Sequence, residues 1–109
     1  MRTLFHYTDQ AGLVGILASL VLWASRRASS ARDVRYGNGQ YLTDIVPGTM
    51  TPAQLSRALL GHPFSRRFTH FVELDVSKLS VIAGRRHVFV VPNENALNVQ
   101  GRIVRHGVS

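Results

Sequence analysis

The sequence predicts an α+β fold, in which a mostly antiparallel sheet packs against two main helices. Short apolar runs of strand character recur along the 109 residues. Two other segments carry apolar residues at the three- and four-residue spacing of a helix. The 45% hydrophobic content is that of a globular chain, and the length predicts one domain, residues 1–109.

The first elements are a strand, a helix and a second strand. Residues 4–8 have strand character, and Asp9 ends the run. Asp9 can also cap a helix over residues 10–20. Residues 21–25 predict a short buried strand, with Trp23 in the core or in the wall of a cleft. The expected apolar face of the helix consists of Leu13, Ile16, Leu17 and Leu20.

The remaining elements come after a loop. Residues 26–35 lack periodicity and predict a loop that becomes ordered when a ligand binds. Beyond it, Gly39 leads into a strand-like run over residues 40–43. Thr51 and the proline after it predict the start of the second helix, which a Gly-His-Pro turn ends. The last three strands are expected at residues 69–76, 87–91 and 102–105.

The chain is strongly basic, with a net charge of +7, and twelve of its thirteen cationic residues are arginine. Arginine binds carboxylates and phosphates through a planar fork of donors. Three interpretations stay open: a solvated surface, contact with a pyrophosphate or an acidic protein, and contact with nucleic acid. The aromatic residues lie in apolar runs instead of alternating with the arginines, which makes nucleic acid the weaker interpretation.

Composition disfavours several classes of protein. The chain has no cysteine, so disulfides and thiolate metal sites are excluded. The histidines do not have the spacing of a zinc site, and we expect no metal. The longest apolar stretch, residues 11–25, is shorter than the roughly 20 residues that span a bilayer. Its position is not that of a signal peptide, and we expect no membrane association.

A histidine and a tyrosine from two predicted strands carry the functional signal. His6 lies in the first strand, and Tyr41 lies in the strand that follows the glycines. Gly39 is expected to let a ligand approach the backbone, and Tyr41 to present its ring to a flat ligand. Each residue alone also fits a structural role, but the pair, in this order and separated by a helix and a strand, favours a binding site.

These segments resemble the small bacterial ADP-ribosyltransferase toxin domains with a His-Tyr-Asp signature, which form the C-terminal tips of polymorphic toxins. Those domains are related to the diphtheria-toxin and poly(ADP-ribose) polymerase branch, and the resemblance implies that the mostly antiparallel sheet is split. The resemblance covers nearly the whole chain and includes residues 6–20, 22–25, 36–44, 71–76 and 101–104. It implies an NAD-dependent mono-ADP-ribosyltransferase that moves ADP-ribose to a macromolecule, with a protein as the expected target, and releases nicotinamide.

The resemblance also implies roles for individual residues. His6 binds a ribose hydroxyl, and Tyr41 stacks on the nicotinamide ring. Tyr36 or Tyr7 forms the second wall of the nicotinamide site. The main chain of Tyr7 and the hydroxyl of Thr8 hold the carboxamide. NAD is expected as a co-substrate, without a metal.

A carboxylate is also needed, because cleavage of the bond between nicotinamide and ribose passes through an oxocarbenium-like state. Where the polymerases have their catalytic glutamate, this sequence has His87 or Gln100. Asp44 is the first candidate for the missing acid, since it comes three residues after the stacking tyrosine. Glu73 and Asp75, on one face of a predicted strand, stay open as alternatives.

The expected partners follow from the same resemblance. An acidic immunity protein would cover the cleft and suit the arginine excess. The protein would act in the cytoplasm of a target cell, after secretion as the tip of a larger toxin. Three alternatives stay open: an RNA-directed enzyme similar to NAD-dependent 2′-phosphotransferases, an NAD-binding module without catalysis, and a metal-free ribonuclease that uses His6 and a second histidine.

Overall fold

The computed structural model describes residues 1–24, 37–93 and 95–109. The predicted loop at 26–35 therefore lies outside the described residues. The described helices are α1 (Gln10–Ser19) and α2 (Pro52–Leu60). The described strands are β1 (Thr3–Thr8), β2 (Val21–Trp23), β3 (Gly39–Leu42), β4 (His70–Asp75), β5 (Ile82–Ala83), β6 (Phe89–Pro92), β7 (Ala96–Asn98) and β8 (Ile103–Val108).

The strands form three antiparallel groups, and the predicted α+β fold with a split sheet is confirmed. One sheet has the order β1-β4-β8, a second has the order β3-β6-β5, and β2 pairs with β7. The first two sheets meet at Phe5 and Thr43, whose main chains exchange two hydrogen bonds of 2.8 Å. Among the described residues no second bridge joins β1 to β3, so the two strands part beyond this point.

Capping groups set the ends of both helices. The carboxylate of Asp9 accepts a hydrogen bond of 2.7 Å from the N–H of Gly12 and caps α1. Thr51 begins α2 as part of a capping box with Gln54, and Gly61 ends that helix at a φ of 85°. Neither described helix has the length and apolar character that crossing a membrane requires.

Two apolar clusters lie on opposite faces of the β1-β4-β8 sheet. Alternation along β1 directs Leu4 into one cluster and its neighbour Phe5 into the other. The first cluster includes Leu13 of α1, and the second includes Leu55 of α2. The sheet is therefore sandwiched between the two helices, each of which buries the apolar face that its sequence spacing predicts.

A buried amide ties β3 to the small β2-β7 sheet. The side chain of Gln40, which is 1% exposed, donates hydrogen bonds of 3.0 Å to the carbonyls of Leu22 and Asn95. Those carbonyls lie in β2 and next to β7. The strand that carries Tyr41 is thus also tied to the β2-β7 sheet.

One residue is placed differently from the prediction. Trp23 was expected in the core or in a cleft wall, but its side chain is 67% exposed. In β2, Leu22 takes the inward position, so alternation turns Trp23 to the outer face. The late strands also begin at Phe89 and Ile103, one or two residues after the predicted starts.

Candidate functional site

A cavity of about 210 Å³ opens where β1 and β3 part. Its walls come from β1, from the end of β3, from the last turn of α2 and from the segment before β4. Apolar side chains, including those of Leu59, Leu60 and Phe68, form one side. The residues with polar groups in the lining are His6, Tyr7, Thr8, Asp9, Tyr41, Thr43 and Arg67.

His6 lies in this cavity with a defined hydrogen bond. Its Nδ1 is 3.2 Å from the carbonyl oxygen of Tyr41. A carbonyl only accepts, so Nδ1–H is the donor and Nε2 of the neutral ring keeps its lone pair. Burial lowers the pKa of His6 below its usual 6.5, the bond to Tyr41 opposes that change, and the charge of Arg67 adds to it. The ring is therefore neutral at pH 7 and can accept a hydrogen bond from a ligand hydroxyl.

The lowered pKa makes stability depend on pH. Above pH 6.5 both folded and unfolded chains hold His6 neutral; below it the unfolded chain binds a proton that the folded chain resists. We expect the wild-type free energy of unfolding to fall as the pH drops below 6.5, and the slope to be smaller in His6→Gln. Urea denaturation at a series of pH values measures the free energy of unfolding and its slope with pH. His106→Gln, on exposed β8, is the matched control and should keep the wild-type slope; an unchanged slope in His6→Gln would contradict the prediction.

Tyr41 lines the cavity opposite the helix end. Its hydroxyl donates a hydrogen bond of 2.8 Å to the carbonyl of Gly37, which has a positive φ of 97°. That bond fixes the direction of the ring, while the backbone carbonyl of the same residue accepts the bond from His6. The sequence predicted that His6 and Tyr41 converge, and both line this one cavity.

Tyr7 contributes its main chain more than its ring. The ring is 5% exposed, and the hydroxyl donates a hydrogen bond of 2.8 Å to the carbonyl of Ile45. Burial raises the pKa of Tyr7 to about 12, against the opposing charge of Arg105, so the phenol stays neutral. The N–H and C=O of Phe5 both bond the main chain of Thr43. Because the direction of these groups alternates along an antiparallel strand, the N–H and C=O of Tyr7, two residues on, point to the same side as those of Phe5. The cavity lies on that side.

Thr8 depends on a glycine of α1. A β-carbon at Gly12 would lie 2.1 Å from Oγ1 of Thr8, far inside contact distance. The hydroxyl of Thr8 can occupy its place at the cavity wall only because residue 12 has no side chain. Gly15, one turn along the same helix, has nothing within 4 Å of such a carbon.

The three candidate carboxylates differ in position. Oδ1 of Asp44 lies 2.7 Å from Nδ1 of His87, and the pair is partly exposed. The chain neighbours of the pair, Thr43 and Val88, both line the cavity. Asp44 therefore lies at the cavity edge. It contacts His87, one of the two residues that this sequence has where the polymerases have their catalytic glutamate.

Glu73 and Asp75 lie away from the cavity. Glu73 pairs in register with Phe5, so its side chain takes the sheet face opposite to His6. It accepts hydrogen bonds of 2.6 Å from Thr3 and from Arg105, and these bonds, with that from Thr3 as the larger effect, lower its pKa. Asp75 is bonded to the hydroxyl and the N–H of the residue two positions on, which lowers its pKa.

The glycines have a structural explanation. A β-carbon at Gly39 would lie 2.4 Å from the carbonyl oxygen of Val91, so the close approach that requires glycine is that of β6. Gly39 is not among the residues that line the cavity. Tyr36, the alternative second wall, lies outside the described residues, as do Glu94 and the arginines at 26, 27, 32 and 35.

Arg67 is a cavity residue to which the sequence assigned no specific role. It lies beside Phe68, with its guanidinium 5.4 Å from the centre of that ring. In the sequence, Arg67 stands out only because it belongs to one of several pairs of adjacent arginines. The leucines at the end of α2 gave no indication of a functional role. In the part of the chain that the structure describes, no three acidic or histidine side chains are grouped to hold a metal ion.

The chain was also compared with known proteins. A family model described as "HYD1 signature containing ADP-ribosyltransferase" matches residues 4–103. That span begins in β1 and ends at the first residue of β8, so it includes every residue that lines the cavity. Searches of curated proteins and of solved structures gave no match.

Proposed function

This chain belongs to the HYD1-signature family of ADP-ribosyltransferase toxins, and from that premise we propose that it cleaves NAD and attaches a single ADP-ribose unit to a protein. One observation carries the proposal: a neutral His6 and an oriented Tyr41 line the same cavity, at the split between two sheets. A hydrogen-bonding imidazole beside an aromatic face suits a ribose joined to a flat ring.

Each end of the nicotinamide riboside has a matching group. Tyr41 stacks on the nicotinamide ring, and the N–H and C=O of Tyr7 bind its carboxamide together with the hydroxyl of Thr8. Nε2 of His6 accepts a hydrogen bond from a ribose hydroxyl. Arg67, beside the apolar wall, binds the pyrophosphate, because a guanidinium fork fits phosphate oxygens.

The reaction breaks the C–N bond between ribose and nicotinamide, and nicotinamide leaves with the electron pair. The ribose becomes an oxocarbenium-like cation, which the carboxylate of Asp44 stabilises from the cavity edge. The same carboxylate takes the proton of the incoming nucleophile, whose oxygen or nitrogen forms the new bond to the ribose. Glu73 has no part in this proposal, because it is not among the residues that line the cavity and its carboxylate is bonded to Thr3 and Arg105.

A substitution in α1 tests the role of Thr8. Gly12→Ala is expected to push Oγ1 of Thr8 from its place and to raise the KM for NAD about two- to tenfold, the effect of losing one neutral hydrogen bond. Gly15→Ala is the matched control, since it fills open space in the same helix. It should stabilise the chain by about 0.5–1 kcal/mol and leave the KM unchanged. Equal KM values in both variants would contradict this role.

A protein target is supported by the segment between α2 and Arg67. Ser56, fully buried, donates its hydroxyl to the carbonyl of His62 and accepts from the N–H of Ser65, which holds this segment in place. The segment presents Phe64, which is 80% exposed and stacked on the His62 ring. An exposed aromatic residue close to arginines is typical of a protein-binding surface.

The same proposal extends to the setting of the toxin. The net charge of +7 suits an acidic immunity protein that covers the cavity. Secretion as the tip of a larger toxin and action in the cytoplasm of a target cell are supported by the toxin family alone.

The test is transfer of label from NAD. The purified chain is incubated with a bacterial lysate and NAD labelled in its adenosine part, and free nicotinamide is measured in parallel. We expect labelled material that protease removes and nuclease does not, with Trp23→Ala, an exposed residue outside the cavity, as the active control. Label removed by nuclease would replace the protein target by a nucleic acid. Absence of both label and nicotinamide release would overturn the proposed function.

A further inference from the structure

A tight turn before β6 contains a histidine in an unusual backbone conformation. The N–H of Val88 bonds the carbonyl of Arg85 at 2.9 Å, and His87 is the third residue of this four-residue turn. Its φ is 66°, in the left-handed region that favours glycine. A side chain at such a position costs free energy relative to glycine, so its presence needs a reason.

The left-handed backbone places the ring of His87 against Asp44. Nδ1 and Oδ1 are 2.7 Å apart, although the two residues are 43 positions apart in sequence. The backbone of Asp44 is held in place by its neighbour Thr43, whose main chain is hydrogen-bonded to that of Phe5. Both partners therefore have fixed backbones at the edge of the cavity.

The contribution of this pair to stability does not explain it. The side chains of His87 and Asp44 are 34% and 49% exposed. Ion pairs and hydrogen bonds at this exposure add little to the stability of a fold, because water solvates both partners well. The pair is better explained by the orientation that His87 gives to the carboxylate of Asp44.

We propose that His87 is a positioning residue for Asp44, an inference that rests on the proposed function. A carboxylate only accepts, so Nδ1–H of His87 donates to Oδ1 and fixes the rotation of the group. In this proposal Oδ2, the oxygen that is not bonded to His87, is the one that faces the ribose cation. A neutral ring is sufficient for this bond, and Nε2 takes no part in it.

Two variants separate the hydrogen bond from the backbone. His87→Gly keeps the left-handed turn without strain and removes the donor. His87→Asn also tolerates the left-handed region, and its side-chain amide offers a donor close to the position of Nδ1–H. His106→Asn, on exposed β8, controls for loss of a histidine elsewhere. Thermal melting of each variant verifies that it is folded.

The measurement is release of nicotinamide from NAD, with kcat and KM determined separately. We expect His87→Gly to lower kcat about ten- to a hundredfold, the range of one hydrogen bond to a charged group, with KM nearly unchanged. His87→Asn should recover most of the lost kcat. A positioning role predicts this rescue, whereas a purely structural role of the turn predicts full activity of the glycine variant.

The outcomes distinguish the two proposals. A wild-type chain that releases no nicotinamide overturns the proposed function and this inference with it. An active wild type with a fully active His87→Gly overturns only the role of His87. An asparagine variant as slow as the glycine variant also overturns it, because the donor would then have no effect.

Discussion

Replacement of Tyr41 by alanine is expected to lower kcat/KM for NAD about five- to a hundredfold, mainly through a higher KM. The ring lines the cavity, and its hydroxyl bond to Gly37 holds it in one direction. Stacking of a flat heterocycle on an aromatic side chain contributes about 1–3 kcal/mol, which alanine loses. The carbonyl of residue 41 remains, so the acceptor of His6 is kept.

Tyr41→Phe is the matched control for this prediction. It keeps the aromatic face and removes only the hydrogen bond to Gly37, so kcat/KM should stay within about threefold of wild type. Rates of nicotinamide release over a range of NAD concentrations measure both variants. A phenylalanine variant as defective as alanine would show that the hydroxyl, and not the ring face, is the functional group.

The sequence predicted both helices correctly because their ends are encoded locally. Asp9 and Thr51 each cap a helix through a backbone N–H three residues away, and Gly61 supplies a left-handed end. Such signals need no knowledge of the rest of the chain. Strands β5 and β7, of two and three residues, are too short to show alternation, and they were missed for that reason.

The position of Trp23 could not be derived in the same way. A three-residue strand has two faces, and its sequence does not say which one meets the core. In β2 the core position is Leu22, fixed by the pairing of that strand with β7. The sequence placed Trp23 in the core or in a cleft wall, whereas the register of the strand turns it outward.

The candidate site was predicted in part. The convergence of His6 and Tyr41 followed from the strands that carry them, and the cavity confirms that they are neighbours. The choice among the acids could not be made from sequence, since it depends on which of them lies next to the cavity in the folded chain. Asp44 and His87 are 43 positions apart in the sequence, and their contact needs a left-handed backbone at His87. No local sequence pattern reveals either the contact or that conformation.

Replacement of Asp44 by asparagine is expected to have the largest effect of any single change on the chemical step. Asparagine has nearly the same shape and keeps an oxygen toward His87, but it removes the negative charge that faces the ribose cation. Loss of one such electrostatic group lowers kcat by about 10²–10³-fold, with little change in KM because NAD before cleavage carries no full charge at the ribose carbon. The partly exposed pair with His87 adds at most about 1 kcal/mol to stability, so the variant should remain folded.

Glu73→Gln and Asp75→Asn make this prediction specific to one acid. Each removes a carboxylate of similar chemistry from β4, and neither residue lines the cavity. Their kcat values should lie within about threefold of wild type, because a carboxylate outside the cavity is too far from the reacting carbon to stabilise the cation strongly. If Glu73→Gln loses kcat while Asp44→Asn keeps it, the ribose must be bound outside this cavity, close to the contacts of Glu73 with Thr3 and Arg105. The comparison of these variants therefore identifies the position of the ribose, as well as the acid.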